Sequence, residues 1–143
     1  MTVVAWDGET LAADRMTSYG NTPIRRDIPK VFRVRRPGDG RVFLYGACGS
    51  SADIYAYGQW LLGNRAQPAF KDLGVLMVDD THQLWVCDER LMWEPHCADA
   101  WAIGSGVDYA LGAMAAGASA REAVLIASRL CNTCGLGVDV VRF

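Results

Sequence analysis

The feature that most constrains this chain is its N-terminal ribbon. Between Thr2 and Asp14, two apolar, β-prone runs stand on either side of Asp7-Gly8. An Asp-Gly pair so placed is the strongest short-range signal for a two-residue hairpin turn. Indexed from that turn, Trp6 faces Glu9, Val4 faces Leu11 and Thr2 faces Ala13. Asp14 then lies one residue beyond the partner of Thr2. Chain ends usually fray, so a strand that orders a threonine this early, beside a carboxylate, is unusual. Two readings of Thr2 stay open on these residues: a β-former at a strand start, or a hydroxyl held in place for chemistry.

The rest of the chain alternates paired strands with grouped helices. Arg15 to Pro23 is a polar loop. Val31 to Arg36 alternates apolar and basic residues, as a half-buried strand does. The turn Pro37-Gly38-Asp39-Gly40 returns it along Arg41 to Cys48, apolar throughout. Gly49-Ser50-Ser51 supplies an N-cap for a helix over Ala52 to Leu62, stopped by Gly63-Asn64. After a polar connector, Asn64 to Asp72, the runs 73–78 and 83–88 read as a hairpin. Arg90 to Ala100 is irregular. Trp101 to Gly104 is a short strand, Val107 to Ala116 a small-residue helix, and Ser119-Ala120-Arg121-Glu122 a capping box for a helix to Leu130. Val138 to Phe143 is a last strand. Strands in antiparallel pairs with helices in groups make an α+β domain.

The 143 residues suffice for one domain, 1–143, with a real core. A net charge of -2 gives no electrostatic case for binding nucleic acid or an anionic membrane. No apolar run reaches the ~20 residues of a membrane span, and Asp7 and Glu9 fall where a signal peptide would be apolar. Five cysteines in odd number, without the look of a disulfide scaffold, lead us to expect a reduced, cytoplasmic protein.

Chemistry centres on Thr2. A threonine hydroxyl is a weak nucleophile without an adjacent base. Removal of Met1 would free an α-amine of pKa ~7.7–8.0, able to accept the hydroxyl proton. Lys30 is one of two lysines in an arginine-rich chain. Lysine is the cation whose pKa moves readily, and a buried one needs a carboxylate such as Asp14; a surface lysine at a strand start is the plainer account. Cys131-Asn132-Thr133-Cys134 is a lone CxxC, half a zinc site or a redox pair.

Thr2-Val3-Val4-Ala5, Ala12-Ala13-Asp14-Arg15, Gly20-Asn21, Lys30-Val31, Gly49-Ser50-Ser51-Ala52-Asp53 and Ala102-Ile103-Gly104-Ser105-Gly106 resemble the ordered motifs of the proteasome β-subunit family. Gly20-Asn21-Thr22 and the segment from Ala102 to Leu111 are most similar to the bacterial HslV peptidases. The resemblance implies the N-terminal nucleophile hydrolase fold, a four-layer αββα sandwich of two antiparallel sheets. It implies a threonine endopeptidase: Thr2 as nucleophile with its amine as base, Asp14 and Lys30 as the supporting pair, and Ser105 orienting the amine. The backbone N–H of Gly49 would steady the oxyanion at a helix N-terminus. Ser18, Ala47 and Gly49 would pair with an extended polypeptide substrate, and the side chains near Ala47 and Cys48 would line its pocket. The implied assembly is a homo-oligomeric ring, with an AAA+ unfoldase as the family's kind of partner.

Two departures accompany the resemblance. Cys131 and Cys134 stand where many proteasome subunits carry an acid and a serine. In HslV this turn offers carbonyls to a monovalent cation, so a structural cation near Ser128, Cys131 and Cys134 is the one bound group implied; no organic cofactor is. The connector Asn64 to Asp72 replaces the family's long second helix, which is therefore shortened here. The alternative function is a catalytically silent assembly or interaction protein that keeps the fold.

Overall fold

The computed structural model describes residues 2–19, 22–24 and 28–143. Its first sheet has β1 (Val3–Trp6) between β2 (Leu11–Asp14) and β10 (Trp101–Gly104), with β11 (Val138–Val141) beyond β2, every pair antiparallel. All eight residues of β1 and β2 are buried. Side chains alternate across a sheet, so one ribbon serves two cores. Val3, Ala5 and Ala12 face α2 (Val107–Ala115) and α3 (Ala120–Leu130), meeting Ala110, Ala123, Val124 and Ala127. The alanines let both helices lie close to the sheet.

Val4, Trp6, Leu11 and Ala13 point the other way, into a second sheet. That sheet runs β5 (Val31–Arg35), β6 (Val42–Gly49), β7 (Leu73–Val78), β8 (Leu84–Cys87), β9 (Glu94–His96). It supplies Val31, Leu44, Leu76, Val78 and Leu84 to the shared interior. Each large side chain buried there contributes roughly 1.5–3 kcal/mol. The sheets approach so closely that a Cβ on Gly46 would stand 2.3 Å from a methyl of Val4. On the outer face, Tyr45, Ala47 and Val75 pack under Ile54, Ala56 and Tyr57 of α1 (Ser51–Leu61). The layers are therefore helix, sheet, sheet, helix, as the resemblance implied. No helix lies between α1 and β7; the connector is pinned by Asp53, whose Oδ2 accepts the N–H groups of Lys71 and Asp72 at 2.8 Å.

The first hairpin differs from its expected register. Trp6 pairs with Leu11 and Val4 with Ala13, across a four-residue loop, Asp7 to Thr10. The cause is the Asp7 carboxylate. Its Oδ1 accepts the N–H groups of Glu9 and Thr10 at 2.9 and 2.8 Å, and its Oδ2 accepts the Ala120 N–H of α3 at 2.7 Å. A side chain used this way opens the turn that Asp-Gly alone would close. The shift is two residues, an even number, so no side chain changes face.

Two loops hold unexpected strands. Within the stretch read as polar loop, β3 (Thr17–Tyr19) pairs with β4 (Thr22–Ile24). Gly20-Asn21, part of the HslV-like motif, lies outside the described residues, as does Met1. Within Arg90 to Ala100, β9 pairs with β8, helped by the Gln83 Nε2 donating to the His96 carbonyl at 3.0 Å. Short polar strands of three residues carry too little alternation to be seen in sequence.

Candidate active site

The site is built where β1 begins and β2 ends. Continuing the observed register puts Val3 opposite Asp14, and the Val3 N–H donates to Asp14 Oδ1 at 3.0 Å. The Thr2 hydroxyl donates to the same oxygen at 3.0 Å, and so does Lys30 Nζ, also at 3.0 Å. Asp14 Oδ2 accepts the N–H groups of Met16 and Gly135 at 3.2 and 3.0 Å. Five donors thus converge on one carboxylate that is 0% exposed.

Thr2 and Lys30 are buried with it, at 1% and 4% exposure. Lys30 stands just before β5, where that strand's pairing with β6 holds it under the first sheet. Its ammonium also donates to the Met16 carbonyl at 2.5 Å. Burial pushes the Lys30 pKa below its ordinary value, and the neighbouring Asp14 charge opposes that without cancelling it. The ion pair is oriented by backbone partners on both sides, the condition under which a buried pair holds its geometry.

Ser105 reaches Thr2 from the other side. Its hydroxyl donates to the Thr2 carbonyl at 3.2 Å, and the Gly106 N–H to the same oxygen at 3.4 Å. Gly104 precedes it with φ +99°, and a Cβ there would stand 2.1 Å from the Thr2 carbonyl oxygen. Only glycine fits both that conformation and that gap. Ser105 also meets Thr133 Oγ1 at 3.0 Å and Cys134 Sγ at 3.6 Å.

A cleft of about 390 Å³ opens onto Thr2, Lys30, Ser18, Gly49, Ser50 and Asp72. Gly49 ends β6 with φ +114°, and a Cβ there would stand 2.0 Å from the Asp72 carbonyl oxygen. Ser50 caps α1, accepting the Asp53 N–H at 3.1 Å. The partially positive helix start thus faces the cleft beside Thr2. Such a site can hold an extended chain and stabilise an anion.

Two named residues lie elsewhere. Ala47 is fully buried in the core beneath α1, and its N–H is taken by the Lys30 carbonyl at 3.0 Å. Cys48 is half-buried outside the cleft lining, its thiol pushed up to about 11 chiefly by burial. Ser128 bonds its own helix at the Val124 carbonyl, 2.8 Å away. Cys131 and Cys134 lie under Ser105. Among the described residues, no three His, Cys, Asp or Glu side chains stand together as a metal site.

Sequence reasoning missed the Met16 carbonyl and the Gly135 N–H, since backbone groups leave no mark in residue type, and the Thr133 hydroxyl, which only the fold brings to Ser105. Asp139, without a role in the sequence, anchors β11 by pairing with Arg15 beside the site, Arg15 Nε donating to its Oδ1 at 2.8 Å.

Neither a scan against protein-family models nor a search of curated proteins returns a match. Solved structures do match. BPH of Thiobacillus denitrificans in complex with epoxomicin superposes with TM-score 0.76 at 20% identity, over 100% of this chain and 98% of that one. HslV of Trypanosoma brucei gives 0.66 at 21%, over 98% and 97%. An Anbu (Gly-1) mutant from Hyphomicrobium sp. strain MC1 gives 0.77 at 15%, over 100% and 81%. The chain has the fold of the proteasome-like N-terminal nucleophile hydrolases.

Proposed function

We propose that the protein is an N-terminal-threonine peptidase, active once Met1 is removed. One observation carries this: a buried Thr2 hydroxyl, a buried lysine and a buried carboxylate meet at one oxygen, at the mouth of a cleft. A strand former at a strand start has no need of that arrangement.

The chemistry is acyl transfer. The Thr2 oxygen attacks a peptide carbonyl carbon while the freed α-amine takes the hydroxyl proton. Asp14 and Lys30 fix the hydroxyl, and the lysine's positive charge keeps the nearby amine unprotonated at neutral pH. Ser105 and Gly106 hold the Thr2 carbonyl, so the residue cannot swing away from the substrate. The Gly49 N–H, at the start of α1, steadies the oxyanion. Collapse breaks the C–N bond, and the amine returns its proton to the departing amino group. Water, deprotonated by the same amine, then attacks the acyl carbon; the C–O bond to Thr2 breaks, and the amine returns the proton to the Thr2 oxygen. No cofactor enters. On this reading, copies assemble into a ring that encloses the Thr2 sites, and an AAA+ unfoldase would feed it polypeptide.

The solved complex of BPH with epoxomicin supplies the test reagent. An epoxyketone offers two electrophilic carbons, suited to the hydroxyl and amine of a single residue. Intact mass of purified protein should show loss of Met1, and a peptide epoxyketone should add its full mass once per chain. Fluorogenic peptide hydrolysis should vanish in Thr2→Ala and persist in part in Thr2→Ser. Retained Met1, with equal and negligible hydrolysis by wild type and Thr2→Ala, would sink the peptidase reading.

A further inference from the structure

The CxxC segment is not used by the chemistry above, yet it is wired into it on two sides. Cys131 caps the end of α3, and the Cys134 N–H donates to the Cys131 carbonyl at 3.3 Å, closing a four-residue turn. Such a turn keeps its first and last Cα within 7 Å, the separation beyond which a disulfide cannot close without backbone movement. Both thiols are free, and Cys134 is among the hydrogen-bonding neighbours of Cys131. Ser105 Oγ stands 3.6 Å from Cys134 Sγ and 3.9 Å from Cys131 Sγ. The next residue, Gly135, donates its N–H to Asp14 Oδ2 and accepts the Arg15 N–H at 3.0 Å. Leu136 follows with φ +61°, an uncommon conformation for a branched residue, which marks a tightly constrained segment.

We propose that Cys131 and Cys134 are a redox-active dithiol whose closure to a disulfide draws away the supports that Ser105 and Gly135 give to Thr2 and Asp14. The two sulfurs are unlike in the way such a pair requires. Cys131 is half-buried, so a small disulfide reaches its sulfur first; burial raises its pKa, but hydrogen bonds with Thr133, Cys134 and Ser105 outweigh that and hold it below the ordinary value. Cys134 is buried, its thiol pushed up to about 12 chiefly by burial. Cys131 is thus the attacking thiolate and Cys134 the resolving thiol.

A small disulfide such as oxidised glutathione is the oxidant. The Cys131 thiolate attacks one of its sulfurs, breaks the S–S bond and releases one glutathione thiolate, which takes a proton from water. Cys134 then gives up its proton, attacks Cys131 Sγ in the mixed disulfide and releases the second glutathione. The protein loses two electrons and two protons, and glutathione gains both. The new bond pulls Cys134 Sγ from Ser105 toward Cys131, and Gly135 moves with it.

The consequence for hydrolysis rests on Thr2 being the nucleophile; the dithiol itself does not. The experiment therefore reads three quantities on the full chain, after incubation with reduced or oxidised glutathione. The first is disulfide mapping by mass spectrometry after alkylation, with exposed Cys97 as internal control. The second is amide hydrogen exchange at Gly135. The third is peptide hydrolysis. We expect a Cys131–Cys134 disulfide, at least tenfold faster Gly135 exchange and at least fivefold slower hydrolysis, all reversed by dithiothreitol. Cys131→Ser should keep its own exchange and hydrolysis rates under oxidant. Modification of Cys97 without a Cys131–Cys134 bond overturns the inference, as does a bond that leaves Gly135 exchange unchanged. If the reduced protein hydrolyses nothing, the peptidase reading fails, and the dithiol is judged on mapping and exchange alone.

Discussion

Replacing Lys30 by methionine tests the centre of the site most directly. The substitution keeps the apolar stem and removes the charge. Asp14 would keep its Thr2, Val3, Met16 and Gly135 donors, but a fully buried carboxylate would be left without a cation, and the Met16 carbonyl without its donor. Breaking a buried pair from one side costs about 3–5 kcal/mol. Lys30 already bears a desolvation penalty in the wild type, visible in its lowered pKa, which places the expected loss near ~3 kcal/mol. For a chain of this size each 1 kcal/mol corresponds to about 3–4 °C, so the Tm should fall by roughly 10 °C. Urea unfolding at pH 7 and calorimetry measure it. Asp14→Asn, alone and combined with Lys30→Met, completes a double-mutant cycle; the pair should be less than additive by at least ~2 kcal/mol. A Tm within ~3 °C of wild type, or additivity within ~0.5 kcal/mol, would refute the claim that these groups act as one buried unit.

Other outcomes follow from neighbouring contacts. Gly49→Ala places a Cβ against the Asp72 carbonyl; hydrolysis should fall at least tenfold, and unchanged kcat/KM would remove the proposed oxyanion donor. Ser105→Ala deletes the hydroxyl on the Thr2 carbonyl; kcat should fall with KM little changed, whereas a pure KM effect would make Ser105 a substrate contact. Asp7→Ala frees the first loop and the N-terminus of α3 together, at a cost of about 1–2 kcal/mol in urea unfolding. Burial raises the Asp7 pKa, yet N–H donors from Ala120, Thr10 and Glu9 hold it below 3.8. Its contribution is therefore full above 3.8 and lost as pH falls through the lower folded value, so the gap between wild type and Asp7→Ala should close in acid. A gap that widens in acid would contradict that sign.

Much of this molecule was legible in the residues. The fully apolar β1, the hairpins 31–48 and 73–88, the Ser50 cap and the Ser119 capping box all form within a residue or two of where pattern and turn chemistry place them. These are local devices, and local physics decides them. The residues themselves singled out Thr2, Asp14 and Lys30; the resemblance added the layering and the roles proposed for these three and for Gly49 and Ser105. Tertiary structure alone decided the rest. Asp7 shifted the first register by two because its carboxylate caps a helix that begins 113 residues later. The Met16 carbonyl and Gly135 N–H joined the site because backbone groups have no sequence signature. Ala47 turned into the core because strand parity, set by pairing with β7, outranks proximity to Gly49 in the chain. The two cysteines of the CxxC came to lie under Ser105 because α3 packs across β1 and β2 and ends there, a meeting that no spacing along the chain encodes.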